Sequence, residues 1–359
     1  MRIGTDFPGG NVAVRSLEEK RALLSPELRD TEGYWFYWCF EAGFDVPGDY
    51  EFEFDGIAVG ACGPAVSEDG GRSWRRLGSG GCTDYRFVYR AERPGRVRFS
   101  SGMQYLQSDL ERFLSEVPEV TRSVLCRSRK GREVELLRLG AADAARKVLL
   151  TSRHHCCEAM ATHVLEGMLR AAAATPELLK NTAFYAVPFV DKDGAEEGDQ
   201  GKNRLPRDHA QDYCRGASLY PETEALVRLV RAERPCIVLD LHCPWLKFEP
   251  NERLHFVGPE SKRMERAMDA WAVRLERELP PGLPYSASDN IRFGTGWNTA
   301  ENYAKGRMLS CCCGGFDFVR AALALEIPYA NMRGCVLDAA KARELGSVLL
   351  RVAAAALQE

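Results

Sequence analysis

The sequence predicts an α/β protein: a mostly parallel or mixed central sheet covered by helices, preceded by a smaller all-β sandwich. Three observations carry this expectation. Residues 1–105 hold short aromatic or alternating runs separated by turn residues. From residue 106 to 359, continuous apolar runs alternate with helical patterns. Runs that are apolar on both faces suit parallel strands buried beneath helices on each side.

In the first part, Tyr34-Trp-Phe-Tyr-Trp-Cys-Phe40 is aromatic and reads as a strand. Tyr50-Glu-Phe-Glu-Phe54 alternates with period two, which predicts a half-buried strand. Arg86-Phe-Val-Tyr89 and Arg96-Val-Arg-Phe99 read as two more, joined by the turn at Pro94-Gly95. Ser67-Glu-Asp69-Gly-Gly71-Arg-Ser73-Trp74 resembles the Asp-box hairpin of sialidase-like propellers. A single copy predicts a tight hairpin whose Asp caps the turn while Trp74 packs beneath it.

In the second part, Ser108-Asp-Leu-Glu111 has capping-box spacing ahead of Phe113 and Leu114, so a helix is expected there. Strands are expected at 147–152, 184–190, 236–241 and 321–327. Helices are expected at 158–173, 222–232, 261–279 and 339–356.

Composition narrows the function classes. Of 359 residues, 45% are hydrophobic and 28% charged, and the formal net charge is -3, so neither disorder nor a nucleic-acid-binding basic excess is indicated. No apolar run is long enough for a membrane span, and the N-terminus has no apolar signal core, so a cytoplasmic protein with no membrane or nucleic-acid partner is expected. Oligomeric state is left open. The thirteen cysteines do not form paired CxxC spacings, which predicts reduced thiols acting as small hydrophobes, Cys311-Cys312-Cys313 included.

The chemistry gathers at strand ends, where open α/β sheets place their sites. Strand 147–152 runs into His154, His155 and, three residues after His155, Glu158. Strand 236–241 runs into His242, and strand 321–327 carries Glu326 near its end. His155 and Glu158 at i and i+3 share a helix face, and His242 can complete a set of two imidazoles and a carboxylate. That set, with one position open, is a catalytic zinc arrangement. Glu326 in an apolar strand needs a cation or a strong donor, and it can serve as general base.

These pieces, in this order, resemble the zinc metallocarboxypeptidases, especially the cytosolic-type subgroup with an N-terminal β-domain. His155-Cys-Cys-Glu158 stands for the family's HxxE, Asp191-Lys-Asp193-Gly194 for its NPDG-like loop, and Asp208-His-Ala210-Gln211 for its DxNR segment. Asp240-Leu-His242 and Leu325-Glu326-Ile-Pro-Tyr329 complete the series. The resemblance covers roughly residues 105 to 359. It implies a zinc carboxypeptidase-like catalytic domain at 106–359 with one zinc ion on His155, Glu158 and His242, and Glu326 as catalytic base. It also implies Asp208 as the partner behind His155, and an upstream arginine as oxyanion stabiliser. Arg204 and Arg207 are the candidates for that arginine, Arg204 preferred. Arg207, Gln211 and Tyr329 are the expected substrate contacts, and the substrate is a peptide or a small amide.

One departure is chemically specific. The family's Asn-Arg pair grips a C-terminal carboxylate, and this chain has Ala210 and Gln211 there. The leading expectation is a zinc-dependent hydrolase of the metallocarboxypeptidase type. Three alternatives stand beside it: a deacylase or amidase on the same scaffold, a non-catalytic binding protein, and a thiol enzyme using Cys156 or Cys157.

Overall fold

The computed structural model describes residues 1–141, 143–213 and 216–358. Its N-terminal strands are Arg2–Gly4 (β1), Ala13–Leu17 (β2), Arg21–Ser25 (β3), Cys39–Phe44 (β4), Gly48–Phe54 (β5), Ala65–Ser67 (β6), Arg75–Arg76 (β7), Arg86–Ala91 (β8) and Gly95–Ser100 (β9). They form two sheets, ordered β1-β4-β9-β6-β7 and β2-β3-β5-β8, antiparallel except for the β3–β5 pair. Alternation puts Phe52 and Phe87 of one sheet against Phe40 and Phe99 of the other, with the Phe52–Phe99 ring centroids 5.2 Å apart. The expected sandwich is present. The turn at Pro94-Gly95 does join β8 to β9, but the two strands lie in different sheets, so it crosses the sandwich.

Only the end of the expected strand at Tyr34–Phe40 is strand. Residues 34–38 are irregular although Phe36, Tyr37 and Trp38 are buried. Their backbone is satisfied elsewhere: the Tyr37 N–H donates to Gln200 Oε1 (2.8 Å), and the Tyr37 carbonyl accepts from Gln200 Nε2 (2.8 Å). This segment is a seam with the second part of the chain.

That second part runs α1 (Gln107–Glu116), β10 (Thr121–Arg127), β11 (Glu133–Leu139), β12 (Arg146–Ser152), α2 (Ala159–Ala173), α3 (Pro176–Leu179), β13 (Thr182–Val187), α4 (Lys192–Glu197), α5 (Pro221–Glu233), β14 (Ile237–His242), β15 (His255–Val257), α6 (Lys262–Glu278), α7 (Leu309–Cys313), β16 (Ala321–Glu326) and α8 (Ala339–Ala356). The sheet order is β10-β11-β13-β12-β14-β16-β15, with a parallel centre and antiparallel edges. The capping box differs from expectation. The helix starts at Gln107, so Asp109 rather than Glu111 falls at the third position, and its carboxylate accepts from Leu106 N at 2.8 Å.

Strand periodicity sorts the central sheet. Val148, Leu150, Leu239 and Leu323 pack in the core that holds α2, α6 and α8, while Leu149, Val238 and Ala322 pack in the core that holds α5 and α7. The second parity continues along β14 into Asp240 and His242 and along β16 into Glu326. The polar residues of the site are therefore the extension of one sheet face beyond its apolar part.

Candidate metal centre

Register brings the strand ends together: Thr151 pairs with Asp240, and His242 with Glu326. After β12 the backbone turns at Arg153, which sits in the left-handed region at φ 63°, and the next turn delivers His155 and the helix-capping Glu158. Glu158 is fully buried, with one oxygen 2.8 Å from His155 Nδ1 and the other 3.1 Å from His242 Nδ1. One ligand atom from each of these three residues lies within 4.8 Å of the others.

These donors fit a zinc ion on the structure's own terms. Two imidazole nitrogens and a carboxylate converge, with His155 reaching an open cleft. Glu326 lines the same cleft, 5% exposed, and its Oε2 meets no hydrogen-bond partner. A buried carboxylate oxygen without a donor is costly, and a water held by a metal ion there would supply one.

Behind the ligands lies a second buried group, His154, Asp240 and His242. The His242 Nε2 lies 3.0 Å from one Asp240 oxygen and the His154 Nδ1 2.9 Å from the other. Thr151 Oγ1 donates to Asp240 at 2.7 Å, and the Tyr213 hydroxyl lies 2.6 Å from His154 Nε2. This set is closed on every side, whereas a catalytic ion needs an open position. We read it as the support that orients His242. On the other side, Asp208 Oδ2 lies 3.6 Å from His155 Nε2. Burial pushes the Asp208 carboxyl up, but His155 and Lys202 hold it down to about 2.

The arginines depart from expectation. The Arg204 guanidinium is held by Asp30 (3.0 Å), Asp191 (2.6 Å) and Asp199 (3.2 Å), away from the metal cleft. Arg207 pairs with Asp212 (2.6 Å) and also lies outside the cleft. Three carboxylates outcompete a cleft position for Arg204, and one buried carboxylate does so for Arg207. Tyr329 is likewise absent from the cleft: it is 2% exposed, edge-on to Phe36 of the seam. Gln211 does line the cleft, donating through Nε2 to the Asn302 carbonyl at 3.3 Å.

The cation that does reach the metal position is Lys202, whose Nζ lies 2.6 Å from Glu158 Oε1 and 5.2 Å from the Trp35 ring. Gly201 makes this possible: at φ +75° a Cβ there would stand 2.5 Å from Cys156 N, so only glycine lets the loop press onto the ligand turn. The cleft measures about 340 Å³ and is walled further by Trp245, Trp297, Asn251 and Asn302. Among the described residues, no arginine lines it.

The thiol reading is overturned by burial. Cys156 and Cys157 are both buried, which pushes the Cys156 thiol far up and that of Cys157, beside Glu158, up to about 12. The triple-cysteine run contributes no ligand group among the described residues. Cys313 is packed in the core and Cys311 lies 3.7 Å from the Arg307 guanidinium.

Comparison with known proteins agrees with the geometry. The zinc carboxypeptidase family model matches residues 106–222. A metallo-carboxypeptidase from Pseudomonas aeruginosa, solved in complex with (2-guanidinoethylmercapto)succinic acid, superposes with a TM-score of 0.79 at 20% identity, covering 100% of this chain and 99% of its own. A metallo-carboxypeptidase from Burkholderia cenocepacia gives 0.81 at 17% identity, covering 99% and 98%. Carboxypeptidase A from Helicoverpa armigera gives 0.52 at 17% identity, covering 73% and 76%. Among curated proteins, none matches the sequence. The whole chain, sandwich included, therefore has the fold of the bacterial metallo-carboxypeptidases. No described helix is long and apolar enough to cross a membrane.

Proposed function

We propose that this chain is a zinc metallopeptidase that hydrolyses a peptide or amide bond whose acyl or amine side carries no free terminal carboxylate into the cleft. The observation that carries the reading is the convergence of His155, Glu158 and His242 beside a cleft that also holds the unpartnered Glu326 oxygen.

Zinc bound by His155, Glu158 and His242 would polarise the scissile carbonyl and acidify a water. Glu326 accepts the proton of that attacking water and passes it to the leaving nitrogen. Lys202 sits against a ligand oxygen, so its ammonium neutralises charge that develops on the carbonyl oxygen. It stands too close to the metal position to anchor a group one residue further along the substrate. Among the described residues the cleft offers Gln211, Asn251 and Asn302 and no guanidinium. Neutral amides accept and donate to a neutral partner, and they leave a carboxylate poorly compensated.

The test is a zinc-loaded enzyme assayed on peptides with free and amidated C-termini and on N-acyl amines that carry no carboxylate. Amidated or acyl substrates are expected to be cleaved at least as well as free peptides. Glu326→Gln should retain zinc and lose turnover by about a hundredfold or more. Strict preference for a free C-terminus would reject the substrate reading, and absence of stoichiometric zinc would reject the hydrolase reading.

A further inference from the structure

Three neighbouring strands bring one polar residue each to the same line across the central sheet. Register pairs His242 of β14 with Glu326 of β16, and Glu326 in turn with His255 of β15. His255 shares the sheet face of Glu326. Two residues along, the opposed Val257 and Ala324 pack with Tyr303 and Met308, which also line the metal cleft. Between them, Phe256 and Leu325 pack in the core on the other face. Directly opposed residues of an antiparallel pair hold their Cβ atoms about 4.5–5.5 Å apart. The row is therefore a metal ligand, the general base, and a third polar residue with no task in the proposed hydrolysis.

His255 is fully buried and its ring is oriented by its own strand. Nδ1 lies 2.8 Å from the Arg253 carbonyl oxygen, which only accepts, so Nδ1 carries the hydrogen and Nε2 bears the lone pair. Among the described residues, no donor reaches that lone pair, and none reaches Glu326 Oε2. The Arg253 guanidinium is turned to Asp289, at 3.2 Å. Two shielded acceptors thus stand on adjacent strands, and they cannot bond each other because neither offers a hydrogen. A proton on the carboxylate makes the two a donor and an acceptor. In the proposed hydrolysis Glu326 is the group that gains one.

We propose that His255 is the positioning residue of the general base: once Glu326 carries the proton of the attacking water, its carboxyl O–H donates to His255 Nε2. The inference rests on Glu326 as that base. The water O–H bond breaks as the carboxyl O–H bond forms. The proton then leaves the carboxyl for the leaving nitrogen as the C–N bond breaks, and it changes owner nowhere at His255. The hydrogen bond to Nε2 exists only after proton transfer, so it favours the reacting state over the resting one and leaves substrate binding unchanged.

Steady-state kinetics of zinc-loaded His255→Phe and His255→Gln test this. Phe keeps a buried ring and removes the acceptor, so kcat should fall by about tenfold with KM changed by less than about twofold. Gln offers an amide oxygen to the same proton and should recover most of the loss. Added to Glu326→Gln, whose amide takes up no proton, His255→Phe should cause no further loss. A packing role alone gives another pattern: both variants equally impaired, and the same loss in either background. That pattern, or full kcat in His255→Phe, would overturn the proposal. Where neither variant folds, nitrogen NMR of the unsubstituted chain decides: a His255 ring with its hydrogen on Nδ1 is expected, and one with it on Nε2 sinks the idea. Full activity in Glu326→Gln would instead reject the general base itself, so the two failures are told apart.

Discussion

His242 has two ring nitrogens, and only one can face an ion. With Nε2 turned to Asp240, Nδ1 keeps its lone pair toward Glu158 and the metal position. Asp240 is in turn met by Thr151 and His154, so the carboxylate facing the His242 ring is itself anchored. Asp240→Asn keeps the shape but can present an amide N–H to one of these nitrogens, which favours the wrong tautomer. Zinc affinity, read by competition with a chromophoric chelator, should fall by about 10- to 100-fold with the fold intact by circular dichroism. Unchanged affinity would show that Asp240 is a packing residue only. At this scale the ligands were legible because HxxE spacing and a strand-final His are local patterns. Asp240 was given no task there, although it lies two residues before His242 and so on the same strand face. The positive residues were not legible: Asp30, Asp191 and Asp199 converge on Arg204 from three separate places in the chain, and no local pattern encodes that.

Helices α2 and α8 share a core and, at two glycines, approach to backbone contact. A Cβ on Gly346 would lie 2.2 Å from the Val164 carbonyl oxygen, and one on Gly167 2.2 Å from that of Arg343. Both glycines lie within their helices, where glycine ordinarily costs about 1 kcal/mol relative to alanine. Gly346→Ala would therefore stabilise the chain by roughly that amount if α8 were free. In contact, the methyl forces the helices apart, and a destabilisation of about 1 to 3 kcal/mol is expected instead. The sign of the change in urea midpoint decides the matter, and a rise would mean that the helices are not in backbone contact. The helical pattern at 339–356 was readable from its apolar periodicity. Its partner was not, because Gly346 and Gly167 say nothing in sequence about facing each other. The β10 strand escaped for a related reason: most of its residues are exposed, so it offers no apolar run.

The sandwich and the catalytic part behave as one body at the site. Residues 198–204 are gripped from the sandwich side: Asn11 Nδ2 donates to the Gly198 carbonyl (2.7 Å), the buried Gln200 exchanges bonds with Tyr37, and Asp30 accepts from Gln200 N and Gly201 N. The same segment carries Lys202 to the metal position, where Trp35 of the seam lies against it. Arg204 closes the arrangement by bridging Asp30 to Asp191 and Asp199. The two basic residues of this loop thus have separate tasks, and paired substitutions distinguish them. Arg204→Met leaves three largely buried carboxylates without their shared cation, so stability should fall by about 3 kcal/mol or more in denaturant unfolding. Lys202→Met removes a charge that pairs mainly at the reacting end of the cleft, so turnover should fall while the urea midpoint changes far less. The opposite pattern, a stable Arg204→Met enzyme with lost turnover and a fully active Lys202→Met, would return the oxyanion role to Arg204 and make Lys202 the structural cation. Because both residues lie on one segment, 198–204, a general loosening of that segment cannot produce the expected split. It would lower stability and turnover together in both variants, so measuring the two quantities on the two variants separates all three cases.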